Sequence, residues 1–168
     1  RILTEAVDGD AANILWRADG KALYFAFDER GERHIKQVTL NKAVSPVATG
    51  LGGTSVGRPY LSGGFHTAGD VVAYTKGGPD RPADIAVMRR KTPKIITSLN
   101  DDLLKYRSLG EVHEIVYNSS FDGQEIQGWY ITPPDFDPSR KYPLILEIHG
   151  GPHLAYGPHF SAELQLMA

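Results

Sequence analysis

Lys141-Tyr142-Pro143-Leu144-Ile145-Leu146-Glu147-Ile148-His149-Gly150-Gly151-Pro152 is a short apolar run halted by two glycines and a proline. A run of this length with these boundaries predicts a buried strand over residues 144–148 rather than a helix. The two glycines let the backbone that leaves the strand come close to another group, because neither carries a side chain. Glu147 is the charged residue inside the run. A buried carboxylate needs partners, so the sequence leaves three options for it: a polar cleft, solvent, or a structural hydrogen bond.

On the C-terminal side, Gly157-Pro158 is expected to open a helix, because proline suits the first helical position. Phe160, Leu164 and Met167 would then share one face. On the N-terminal side, residues 112–118 and 124–132 read as a hairpin joined by Ser119-Ser120-Phe121-Asp122-Gly123, whose Asp-Gly pair favours a turn. Pro133-Pro134 ends the second strand, since proline cannot donate to a ladder, and residues 135–141 form a surface loop.

Further upstream the chain reads as all-β to about residue 105. Asp19-Gly20 precedes the strand-like run Ala22-Leu23-Tyr24-Phe25-Ala26-Phe27. The order then recurs: Tyr24 corresponds to Tyr74 and Ile35 to Ile85 at an offset of 50, and Ser45-Pro46-Val47-Ala48-Thr49 corresponds to Pro93-Lys94-Ile95-Ile96-Thr97 at an offset of 48. A period near 50 with four strands per unit is a propeller signature. The units would be residues 11–50 and 56–99. Two unrelated β-meanders remain the plain alternative. Residues 99–109 form a connector in which Asn100 or Asp101 can cap a short helical turn. The domain boundary is expected near Leu109-Gly110, dividing the chain into residues 1–109 and 110–168.

Phe121-Asp122-Gly123, Gly128-Trp129-Tyr130-Ile131-Thr132-Pro133-Pro134, Tyr142-Pro143-Leu144, His149-Gly150-Gly151-Pro152 and Tyr156-Gly157-Pro158 occur in that order within a short span. Together they make residues 112–160 resemble the start of the catalytic domain of the prolyl oligopeptidase family of serine peptidases. The likeness is to the acylaminoacyl-peptidase and dipeptidyl-peptidase branches that carry His-Gly-Gly-Pro. It implies a mixed fold class: the C-terminal blades of a β-propeller followed by the N-terminal part of an α/β-hydrolase domain. In such hydrolases an HGGG-type turn supplies a backbone N–H to the oxyanion hole. By this resemblance Gly151, with Gly150 beside it, is the oxyanion donor, and His149 and Pro152 line the substrate pocket. Other branches of the family place a tyrosine immediately before the turn. The histidine here implies the acylaminoacyl-peptidase-like branch, where the backbone alone holds the oxyanion.

In hydrolases of this fold the catalytic serine, aspartate and histidine follow later in the chain. None of the three is expected in this sequence, so it would not cleave a peptide alone. The implied substrate is a short peptide, and no cofactor is implied. A strand at 144–148 with nothing beside it would expose unpaired edges. The remainder of the hydrolase domain is therefore expected to accompany this chain, as a separate polypeptide. Homo-oligomerisation is left open, as is the compartment, cytoplasmic or periplasmic and secreted alike.

The bulk properties restrict the partners. In 168 residues, 41% are hydrophobic and 23% charged, an ordinary globular balance. A net charge of -2 argues against nucleic acid or an anionic membrane as partner. No apolar run approaches the roughly 20 residues of a spanning helix. The absence of cysteine excludes disulfides and thiolate-bound zinc.

Two patterns mislead. Gly53-Thr54-Ser55-Val56-Gly57 fits the nucleophile elbow G-x-S-x-G, but that motif needs a strand before it and a helix after it. Arg58-Pro59 follows instead, which disfavours a helix, so an inter-unit loop is expected. His149, His153 and His159 fit no metal spacing with a carboxylate. A carboxylesterase-like hydrolase shares the turn, and a non-catalytic propeller module shares the repeats; both stay open as rival readings.

Overall fold

The structure is a computed structural model that describes residues 2–90, 92–151 and 153–168. Eight strands form two successive antiparallel meanders. The first comprises β1 (Ala12–Trp16), β2 (Ala22–Glu29), β3 (Glu32–Thr39) and β4 (Val44–Leu51). The second comprises β5 (Phe65–Ala68), β6 (Val71–Gly78), β7 (Arg81–Arg89) and β8 (Thr92–Ile95). The internal repeat is therefore real. Tyr24 and Tyr74 lie in the second strand of their units, and Ile35 and Ile85 in the third. β4 meets β6 where Leu51 pairs with Lys76, which joins the meanders into one sheet that does not close on itself.

Strand alternation puts neighbouring residues on opposite faces. Ala26 of β2 joins Ile35, Ala48 and Leu51 against Phe65, Val72, Tyr74, Ala86 and Met88 of the second meander. Its neighbours Phe25 and Phe27 pack with Val38 on the other face. The β2–β3 turn is the two-residue pair Arg30-Gly31, both at positive φ (49° and 76°), as a hairpin turn of the primed type requires.

The connector is tied to the second meander by Asp84. This buried carboxylate accepts from Thr97 Oγ1 (2.8 Å) and the Leu99 N–H (2.9 Å) and pairs with Arg81 at 3.2 Å. Burial pushes its pKa up, but these donors and the guanidinium together bring it below the usual carboxylate value. Residues Asp101–Leu104 form the short helix α1, and the Asn100 side chain makes no capping bond to it. Beyond the connector, β9 (Glu111–Asn118) and β10 (Glu125–Thr132) pair along their whole length, from Glu111↔Thr132 to Asn118↔Glu125, as the Asp-Gly signal implies. The hairpin lies across the Arg30-Gly31 turn. Gln127 Nε2 donates to the Arg30 carbonyl (3.2 Å), and a methyl group on Gly31 would run into the Trp129 ring.

The segment that carried the sequence reading departs from it. Residues 144–148 form no strand, and Leu144, Ile145, Leu146 and Ile148 are 89%, 63%, 77% and 77% exposed. The physical reason is pairing: a strand satisfies its N–H and C=O groups only through a neighbour, and no strand lies beside this segment among the described residues. Every strand pair among those residues is antiparallel, so the parallel sheet of an α/β-hydrolase is not found. With no strand at 144–148, no bare strand edge there calls for an accompanying polypeptide.

The last helix also starts later than expected. α2 spans Ala162–Met167, capped by Ser161, whose Oγ accepts from the Leu164 N–H (3.2 Å). Gly157-Pro158 does not open it, because the backbone there is engaged elsewhere: the Gly157 N–H donates to Pro59 O (3.0 Å) and the Phe160 N–H to Gly78 O (2.7 Å). Phe160 is buried ahead of the helix, while Met167 is exposed.

Candidate functional site

The loop that follows β4 is rich in glycine and fixed by Pro59. It receives the returning chain after residue 154. The Leu61 N–H donates to Ala155 O (3.1 Å), Gly157 N–H to Pro59 O (3.0 Å) and Ala162 N–H to Val56 O (2.8 Å). Ser161 Oγ donates to Gly57 O at 2.7 Å, and Tyr60 and Tyr156 form an antiparallel bridge. These bonds bring residues 155–162 against residues 56–61.

Arg58 sits at the centre of this contact. Its Nη1 bonds Glu147 and also donates to Tyr156 OH (3.2 Å), while Nη2 reaches Glu163 Oε1 at 3.0 Å. Tyr156 OH donates to Glu147 Oε1 (3.2 Å). Of the three options for Glu147, the hydrogen-bonded one holds. The Tyr156 hydrogen bond, with the Glu163 charge, raises the Arg58 pKa, and burial raises that of Tyr156. The Tyr156 ring meets Tyr60 edge-on at 4.7 Å and His149 at 5.4 Å.

The glycine turn lies beside this cluster. A methyl group on Gly150 would come within 3.8 Å of Tyr60 OH. His149 Nδ1 donates to the Gly150 carbonyl at 2.9 Å. Gly151 has φ 142°, in the region that favours glycine. Gly150 and Gly151 are exposed, and neither N–H has a hydrogen-bond partner among the described residues. Pro152 lies outside the described residues. An exposed amide without a protein acceptor is free to donate to a ligand oxygen. A groove of about 890 Å³ between the meanders, bordered by Tyr24, Tyr74 and Lys76, includes no residue of this turn.

Ser55 lies in the loop between the two units, where its Oγ donates to the Arg58 carbonyl (2.8 Å). No strand leads directly into it and no helix follows it, so it lacks the setting of an elbow. No group of three metal-ligating side chains occurs among the described residues. His159 packs on Gly52, where a methyl group would come within 2.6 Å of its Nδ1, and is 5% exposed. Neither of its ring nitrogens has a partner among the described residues. Burial depresses its pKa, against the pull of the Glu32 and Asp28 charges; Arg33 depresses it further. A depressed histidine leaves the unfolded chain binding more protons, so its contribution is complete above about pH 6.5 and is lost as pH falls through the folded value. Denaturation midpoints measured from about pH 7.5 to 5 should therefore fall more steeply for the natural protein than for His159→Gln. The excess is bounded by tenfold in the unfolding constant per pH unit, the limit for one proton. Parallel pH profiles would refute this role for His159.

Arg58, Tyr60 and Glu163 were not legible as site residues. Their contacts to the turn region span 89 to 105 residues of sequence, and no local pattern encodes such a pairing. Tyr156 stood out only as part of Tyr156-Gly157-Pro158.

No family model matches the chain. Among curated proteins it is similar to an uncharacterized peptidase of Bacillus subtilis, YuxL, with 27% identity over 167 residues, 96% of this chain and 24% of that protein. It is also similar to dipeptidyl-peptidase 5 of Porphyromonas gingivalis, with 27% identity over 160 residues, 92% of this chain and 22% of that protein. A solved acylaminoacyl peptidase in complex with Z-Gly-Gly-Phe-chloromethyl ketone superposes with TM-score 0.78 at 26% identity, covering 98% of this chain and 24% of that one. The chain thus spans about a quarter of the length of the proteins it matches.

Proposed function

The chain belongs to the prolyl oligopeptidase family, and from that premise we propose that it is part of a serine peptidase acting on short peptides, of the acylaminoacyl-peptidase or dipeptidyl-peptidase kind. In this reading residues 1–109 are propeller blades and residues 110–168 begin the catalytic domain. The Ser-Asp-His triad comes from sequence beyond this chain. The His149-Gly150-Gly151 turn contributes an oxyanion donor, the Gly151 N–H foremost, and His149 lines the substrate pocket; Pro152 belongs to the same proposed wall.

The observation that carries the reading is the pair of exposed amides at Gly150 and Gly151, without a hydrogen-bond partner among the described residues, with Gly151 at φ 142°. When a nucleophile attacks an amide carbonyl, the oxygen gains negative charge. A fixed N–H aimed at that position stabilises it more than it does the ground state, and one such donor contributes about 2.7–4 kcal/mol. The likeness to an enzyme solved with a peptidyl chloromethyl ketone supports a peptide as the ligand. The test is an assay of the whole protein with N-acyl-aminoacyl amides, dipeptidyl amides and simple esters in parallel. Amide cleavage blocked by Z-Gly-Gly-Phe-chloromethyl ketone is expected. Cleavage of esters alone would point to an esterase, and no cleavage to a binding module.

A further inference from the structure

We infer that Arg58 is the positioning residue of the glycine turn: its guanidinium ties both flanks of residues 149–151 to the loop between the two meanders. The inference rests on the proposed oxyanion role of that turn. Glu147 lies two residues before His149 and Tyr156 five residues after Gly151, and Arg58 Nη1 bonds both of them. Its Nη2 holds Glu163 of α2 at 3.0 Å. One planar fork thus grips three points on the returning chain, a geometry that a lysine ammonium cannot reproduce.

The anchor itself is set. The Arg58 carbonyl accepts from Ser55 Oγ (2.8 Å), the Ser55 N–H donates to Ser62 Oγ (3.3 Å), and Pro59 fixes the following φ. Taken singly, pairs as exposed as these contribute little in water. Their value here is geometric, because the exposed segment 144–151 has no strand neighbour among the described residues to hold it. A misplacement of about 1 Å at a reacting centre costs on the order of 10²-fold in rate.

The test compares the whole natural protein with Arg58→Ala and Arg58→Lys, by amide hydrogen exchange and by kcat and KM on a dipeptidyl or acyl-aminoacyl amide. In Arg58→Ala, exchange of the bonded Leu61 and Gly157 amides should rise while β2 and β3 stay protected. At the same time kcat should fall by about 10²-fold with KM nearly unchanged. Arg58→Lys should give the same pattern at smaller size, and the swapped pair Arg58→Glu with Glu147→Arg should recover part of the kcat loss. Unchanged exchange, unchanged kcat, or a loosening spread equally over β2 and β3 in both variants would overturn the inference. If the natural protein cleaves no amide, the proposed function falls, and exchange of the Leu61 and Gly157 amides still decides whether Arg58 holds the chain that flanks the turn.

Discussion

Replacing Gly151 by alanine in the whole protein is expected to lower kcat by about 10²- to 10³-fold with KM little changed. At φ 142° a side chain is strained wherever there is room, and here the added methyl would also lie 3.0 Å from the Leu154 amide nitrogen and 3.1 Å from that of His153. The turn must change shape to accept it, and the amide proposed to bind the developing oxyanion is carried off its line. Because this interaction strengthens only as charge develops, the loss belongs in kcat. Gly64→Ala serves as the control: no atom lies within 4 Å of the added methyl and φ there is ordinary, so kcat should be unchanged. Equal activity of Gly151→Ala and the natural protein on amide substrates would remove Gly151 from the mechanism.

Leu51→Ala is expected to cost about 2.7–5 kcal/mol of folding stability, read from the shift of a denaturant midpoint. Leu51 is 0% exposed, and its side chain lies in the cluster that both meanders build. It is also the residue through which β4 meets β6. Removing three carbons there opens a cavity at the junction of two units, where neither can collapse without separating from the other. A loss below about 1 kcal/mol would mean that the two meanders are not held by this shared core.

The meanders were legible in the sequence because their signals are local. Asp-Gly turns, alternating apolar residues and the recurrence of Tyr24 at Tyr74 each fall within a few residues or one repeat. The β9–β10 hairpin was legible for the same reason. Residues 144–148 were misread because an apolar run reports only a tendency to pair; it does not supply the neighbour, and none stands beside it among the described residues. The start of α2 was missed because Gly157-Pro158 resembles a helix opening, while Ser161 is the residue whose hydroxyl caps it. At the candidate site, the Gly-Gly turn could be found from the order of residues that ends the apolar run. Arg58 could not, since its partners lie 89 to 105 residues away.

The most direct measurement is the structure of the whole protein reacted with Z-Gly-Gly-Phe-chloromethyl ketone. The expected result is a covalent adduct whose former carbonyl oxygen lies about 2.7–3.1 Å from the Gly151 amide nitrogen. An adduct bound elsewhere, with the Gly150 and Gly151 amides still open to solvent, would contradict the role given to this turn.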